Sequence, residues 1–193
     1  SARRYAAERI KGGASTMDKT LAWLWLADAV GSGCQYAREL LDLYPDPAEL
    51  YDILRVGTEA PPACLSAHAL AQLRDTTPLD DEERLDHCLL SGIDILTPDE
   101  GTYPDRLRDL PDLPLVLYVT GSAACLNGGR YAGMVGTRRP SAYGRQAAFD
   151  LSLAMAQAGV VLVSGMADGL DSEAHRAAVQ AEVPTVAFLG TAI

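Results

Sequence analysis

Apolar positions recur at two different periods along this chain, and the change falls near residue 92. From Lys19 to about Leu90 the pattern is helical. "TLAWLWLADAV" opens at Thr20, a candidate N-cap, and aligns Leu21, Leu24 and Trp25 along one stripe. "GSG" at 31–33 interrupts it, "CQYARELLDLY" resumes with Tyr36, Leu40, Leu41 and Tyr44, and Pro45 stops the second helix. "PAELYDIL", "SAHALAQLR" and "DDEERLDHCLLSG" predict three further helices, the last with acidic residues in its first turn and Gly92 at its end. Two short extended runs follow, Asp94 to Thr97 and Leu115 to Thr120, separated by turns rich in proline and aspartate.

Beyond residue 130 strands alternate with helices: "YAGMVG" (131–136), a helix from about Tyr143 to Gly159, "VVLVSG" (160–165), a helix from about Leu170 to Glu182, and "TVAFLG" (185–190). The strands are near-continuous apolar runs, as expected when both faces are covered, and the βαβαβ rhythm implies a parallel sheet with right-handed crossovers. The fold class expected is α/β. A small helical domain over 17–91 precedes a Rossmann-like parallel-sheet domain over 92–193, of which only the N-terminal part is present, because the pattern stops after the third strand of a sheet that normally continues. Within the helical part, helix, glycine turn and second helix give the outline of a helix-hairpin-helix, whose turn amides can face a phosphate. An αα-hairpin inside a small bundle fits the same outline, and the acidic surroundings, which would repel a duplex backbone, favour it.

Composition changes the picture in three places. The chain has 193 residues, 48% hydrophobic, with a formal net charge of -10, enough apolar material for a sizeable core. That charge is unevenly spread: residues 130–193 hold five basic and five acidic groups, while the rest holds eleven basic against twenty-one acidic. Residues 1–16, "SARRYAAERIKGGAST", are basic and read as a tail or extension ahead of Met17. The longest apolar stretch, Leu21 to Leu26, is far short of the roughly 20 residues a membrane span needs, so a cytoplasmic protein with no membrane partner is expected. Cys34, Cys64, Cys88 and Cys125 form no CxxC or Cys/His cluster and read as small buried hydrophobes. His68 and His87 have no ligand partners nearby in sequence, and no metal or cofactor is expected.

The chemistry concentrates at the ends of the parallel strands, where open sheets of this kind place their ligands. "GTRRPSAYG" follows the first of them. It is neither GxGxxG nor GK[ST], and no acidic residue ends the second strand to take a ribose hydroxyl, which weakens a nicotinamide or flavin assignment. Instead Gly136 lets the backbone approach a phosphate, Thr137 and Ser141 offer hydroxyls, Arg138 and Arg139 offer forked donors, and Pro140 stiffens the loop. Ser164 and Gly165 form a second turn beside it. Tyr143, next to the arginines, is either a stacking surface for a base or a core residue. Asp171 and His175, four apart on a helix, share a face, but a nucleophile elbow GxSxG around Ser164 is missing, so no catalytic use is expected. Asp171 is expected to cap its helix and His175 to pack beneath the loops.

"YPDRLRDLPDLPLVLYVTG", "MVGTRRPSAYGR" and "VLVSGMADGLDSEAHRAAV" followed by "PTVAFLGT" resemble, in order and spacing, the DNA-processing protein A (DprA, or Smf) family of bacteria. The likeness covers about residues 18–191. It implies a SAM-like helical domain followed by an extended Rossmann-like domain that binds single-stranded DNA. It also implies homodimerisation, and non-catalytic loading of the RecA recombinase during DNA recombination in natural transformation. Carried onto this sequence, the pocket comprises Gly136, Thr137, Arg138 and Ser141, with the Ser164–Gly165 turn beside it. Asp168 departs from the expected pattern by adding a negative charge at that place. The alternative from a different class is a nucleotide-binding or nucleotide-hydrolysing Rossmann-type enzyme, which needs a catalytic glutamate after a glycine-rich loop that this chain lacks.

Overall fold

"LAWLWL" is apolar at every position, and a helix apolar all round has to be surrounded. In the computed structural model, which describes residues 17–31, 37–56 and 65–190, this segment is the centre of a helical unit. Helix α1 (Lys19–Val30) buries every residue from Leu21 to Leu26, rather than the one stripe expected, because neighbours lie on several sides of it. Those neighbours are α3 (Pro47–Val56), α4 (Ala67–Asp75) and α5 (Leu79–Ser91); α2 (Ala37–Leu43) adds Ala37 and Leu40 to the same core. The cap of α1 is Asp18, not Thr20: its carboxylate accepts from the backbone N–H groups of Thr20 and Leu21 at 2.9 and 3.2 Å. Ser66 caps α4 in the same way, and Gly92 ends α5 in the left-handed conformation that its lack of a side chain allows. The glycine turn expected at 31–33 falls largely outside the described residues, as do Cys34 and Cys64. His68 and His87 are exposed, Cys88 lies in the core, and Cys125 is half-buried.

The two extended runs after residue 92 become an antiparallel pair, β1 (Asp94–Leu96) and β2 (Leu117–Val119), in the register Ile95 opposite Tyr118. This pair shares its core with the helices. Ile93 and Ile95 pack with Leu21, Leu24, Leu85 and Cys88, and Leu113 and Leu115 pack with Trp23, Trp25, Leu50 and Leu73. Polar contacts fasten the same seam. Lys19 meets Asp99 at 2.9 Å, and Arg84, which donates to both oxygens of Asp28 between two helices, also donates to the Tyr118 hydroxyl at 3.3 Å; within the segment between β1 and β2 the fully buried Tyr103 donates its hydroxyl to the carbonyl of Pro114 at 2.6 Å. Burial pushes the Tyr103 phenol up to about 12. The change of sequence period at residue 92 therefore marks the end of the helices, while the boundary between compact units falls later, at Ala123–Ala124.

The second unit is the parallel sheet. Strands β3 (Arg130–Gly133), β4 (Val160–Ser164) and β5 (Thr185–Ala187) lie in that order, with Ala132 opposite Leu162 and Val163 opposite Val186. Helix α7 (Ala142–Gln157; the short helix Asp105–Arg108, α6, lies between β1 and β2) connects the first two strands and α8 (Leu170–Gln180) the next two. Both helices pack on β4 and on each other. Leu162, Ala156, Ala174 and Ala178 are fully buried between them; small side chains on the helices let the backbones approach. Because successive strand residues face opposite ways, Val161 and Val163 belong to the other face, where they are only half-buried. Among the described residues no helix is long and apolar enough to cross a membrane.

Candidate nucleic-acid interface

All seven residues singled out in the sequence sit at the carboxyl edge of the parallel sheet. Pairing continues past the formal strand ends: Met134 N–H donates to Val163 O at 2.9 Å and Phe188 N–H to Ser164 O at 2.9 Å, so the three loops leave from one aligned edge. Ser164, buried, donates its hydroxyl to the carbonyl of Met134 at 2.6 Å and ties β4 to the exit of β3. The N–H of Gly165 donates to Oδ2 of Asp171 at 3.2 Å. These two residues thus hold the loops in shape with the groups a ligand would otherwise use.

The loop after β3 is built differently. Thr137 Oγ1 accepts from the N–H of Arg139 at 3.1 Å, and Ser141 Oγ accepts from the N–H of Gly144 at 3.0 Å, capping α7. In both bonds the hydroxyl is the acceptor and keeps its own proton for donation. Arg138 and Arg139 are exposed, and among the described residues neither guanidinium is engaged in an ion pair or a side-chain hydrogen bond. Tyr143, in the first turn of α7, is 82% exposed, which makes it an open ring and not a core residue. Ahead of them stands the N-terminus of a 16-residue helix, whose unpaired backbone N–H groups carry partial positive charge. The edge therefore offers two free guanidinium forks, two donor hydroxyls, a helix N-terminus and an open aromatic ring, the functional groups that grip phosphate and stack bases. Asp168 is exposed on the neighbouring loop.

Sequence reasoning missed what supports this edge. Helix α8 begins at Gly169 with no side-chain cap, so Asp171 serves the Gly165 turn instead of its own helix. His175 does not reach Asp171: its Nδ1 lies 2.8 Å from the hydroxyl of Thr185, which in turn donates to Leu162 O at 2.8 Å. Glu173, buried, takes Arg176 at 2.7 Å and Arg145 at 3.6 Å, and the Arg176 guanidinium lies 5.6 Å from the centre of the Phe149 ring, clamping α7 to α8. The spacing of Glu173 and Arg176 on one helix was a readable signal; the link to Arg145 was not, because it depends on how the helices pack. Among the described residues no three His, Cys, Asp or Glu side chains gather as metal ligands would.

Comparison with known proteins bears on the same region. Residues 94–193 match the family described as DNA recombination-mediator protein A. The chain is 37% identical over 98 residues to the DNA processing protein DprA of Bacillus subtilis, covering 51% of this chain and 33% of that protein. It is 34% identical over 183 residues to a putative DNA processing protein DprA of Mycobacterium tuberculosis, covering 87% of this chain and 45% of that one. Protein Smf of Synechocystis is 36% identical over 104 residues, covering 51% of this chain and 25% of Smf. The chain thus spans less than half the length of these curated relatives. Its fold resembles the X-ray structure of DNA processing protein A from Streptococcus pneumoniae, with a TM-score of 0.64 at 22% identity, over 89% of this chain and 58% of that one. With just over half its length matched to one family and DprA and Smf proteins as its relatives, the chain belongs to the DNA recombination-mediator protein A family of DNA-processing proteins.

Proposed function

We propose that this chain binds single-stranded DNA at the carboxyl edge of its parallel sheet and acts, without catalysis, as a recombination mediator. The observation that carries the reading is the pair of exposed guanidinium groups, Arg138 and Arg139, unpaired among the described residues, on a loop that runs into the N-terminus of α7. In a protein of net charge -10 such groups are attractive only to a partner that brings its own negative charge. Phosphates meet Arg138, Arg139, Thr137 and Ser141 and pass over Gly136, a base stacks on Tyr143, and Ser164 and Gly165 keep the loops in place. Delivery of the strand to the RecA recombinase and assembly of the whole protein as a homodimer rest on the family resemblance. The kinship with proteins named for DNA processing supports the substrate class.

Fluorescence anisotropy with a labelled oligothymidylate tests the reading. Arg138→Ala weakens binding on the order of tenfold or more, the size expected when a charged hydrogen bond of about 1.5–3 kcal/mol is lost. Unchanged affinity in that variant would remove the loop from the interface. Faster RecA filament growth on SSB-coated single strands in the presence of the protein is the outcome expected of a mediator.

A further inference from the structure

We infer that Gly169, at the start of α8, is the residue that positions the arginine loop, so that the grip on DNA is set from a second loop which offers the strand no positive charge. The inference rests on the single-strand reading above. Gly169 has φ 97° and ψ -129°, a conformation closed to side chains of ordinary chirality. It also has the loop lying directly on it: a methyl group at Gly169 would stand 2.7 Å from Cα and 2.9 Å from the carbonyl carbon of Arg138, and closer still to the carbonyl oxygen of Thr137. That same oxygen accepts from the N–H of Leu170 at 3.2 Å. A second glycine completes the contact from the opposite side, since a methyl group at Gly136 would meet Cβ of Leu170 at 2.9 Å and Cγ at 3.0 Å. Two glycines, one in each loop, therefore let the backbone at 136–138 rest flat on the first residues of α8. Helix α8 is in turn fixed to β4 through Asp171 and the N–H of Gly165. The support runs from β4 through Asp171 and Gly169 to the backbone of Thr137 and Arg138.

The sequence gap between these loops is about thirty residues, and the loop carrying Gly169 contributes an exposed carboxylate, Asp168, in place of a basic group. Its part in binding is therefore geometric: it sets where the backbone of Arg138 lies and hence which way its side chain leaves. Gly169→Ala pushes that backbone away while removing no group that could touch a phosphate.

The test combines a binding measurement with one that needs no DNA. In the 193-residue chain, Gly169→Ala is expected to weaken oligothymidylate binding about tenfold and to make the further change Arg138→Ala nearly silent, because the guanidinium is already misplaced. Amide hydrogen exchange of Leu170 and Arg139, whose N–H groups bond to Thr137, is expected to speed up in the variant. Wild-type affinity in Gly169→Ala, or losses that add in full with Arg138→Ala, would overturn the inference. If Arg138→Ala by itself leaves binding unchanged, the DNA reading fails, and the exchange rates alone decide whether Gly169 positions the loop. Should Gly169→Ala not fold, the opposite side of the contact decides. There the methyl group of Gly136→Ala meets Cβ and Cγ of Leu170, so that variant is expected to lose affinity and the pair Gly136→Ala with Leu170→Gly, which removes both atoms, to regain it; failure of that rescue would overturn the inference.

Discussion

Thr185 carries one hydroxyl proton, and the carbonyl of Leu162 takes it. The imidazole of His175 must therefore donate through Nδ1, which leaves Nε2 bare, buried and without a hydrogen-bond partner among the described residues. Burial holds the His175 pKa below its ordinary value of 6.5, the nearby Asp171 opposing it only in part. As pH falls the unfolded chain takes up the proton first, so the contribution to stability is complete above about pH 6.5 and is lost as pH drops toward the lowered native value. Replacing His175 by Asn keeps a donor for Thr185 and removes the titration. Stability from thermal unfolding followed by circular dichroism between pH 7.5 and 5 should fall more steeply on acidification for wild type than for His175→Asn, by about 1.4 kcal/mol per unit of pKa difference; parallel curves would show that the imidazole is indifferent to its site. Such residue-level detail was only partly legible. Capping is local, yet the caps expected at Thr20 and Asp171 fall to Asp18 and Gly169, and Ser141, read as a hydroxyl donor, is itself a cap. The partner of Asp171 and that of His175 lie on other elements, which the shared face of their helix does not disclose.

At the scale of elements, β4 decides the second unit. It is the middle strand, and Leu162 stands fully buried where α7 and α8 meet it. Leu162→Ala leaves a cavity among alanines that cannot close over it, a loss of about 2–5 kcal/mol that lowers the midpoint of unfolding by about 10 °C or more in a unit of this size. Valine at the same position costs markedly less, and equal losses for both would mean that the site collapses freely. The alternation of strands and helices makes this layer readable from the amino acids alone, since a run such as "VVLVSG" flanked by glycine and helical pattern has few other interpretations. What the run does not disclose is that Leu162 is fully buried on one face of β4 while Val161 and Val163 on the other are half-buried; a valine on either face is written the same way. Helix α1 shows the converse, where a run apolar at every position states all-round burial more strongly than any single stripe within it.

Across the whole molecule, charge and core divide the chain differently. The acidic excess lies before residue 130, and the arginine loop lies in a stretch whose charges balance, so the overall charge of -10 describes the wrong part of the molecule for predicting its ligand. The break in period at residue 92 suggested where one unit ends, yet Ile93, Ile95, Leu113 and Leu115 close the core of the helices, and the compact unit continues to Ala123. Periodicity reports local geometry; which core an element joins is settled by contacts far apart in sequence. The central claim, that phosphates of a single strand are held by the arginine loop, is tested most directly by the salt dependence of binding. Each phosphate contact on a single strand contributes about -0.7 to the slope of log affinity against log salt concentration, so wild type should give a steep negative slope and Arg138→Ala one shallower by roughly that amount. Equal slopes for the two proteins, or affinity insensitive to salt, would contradict it.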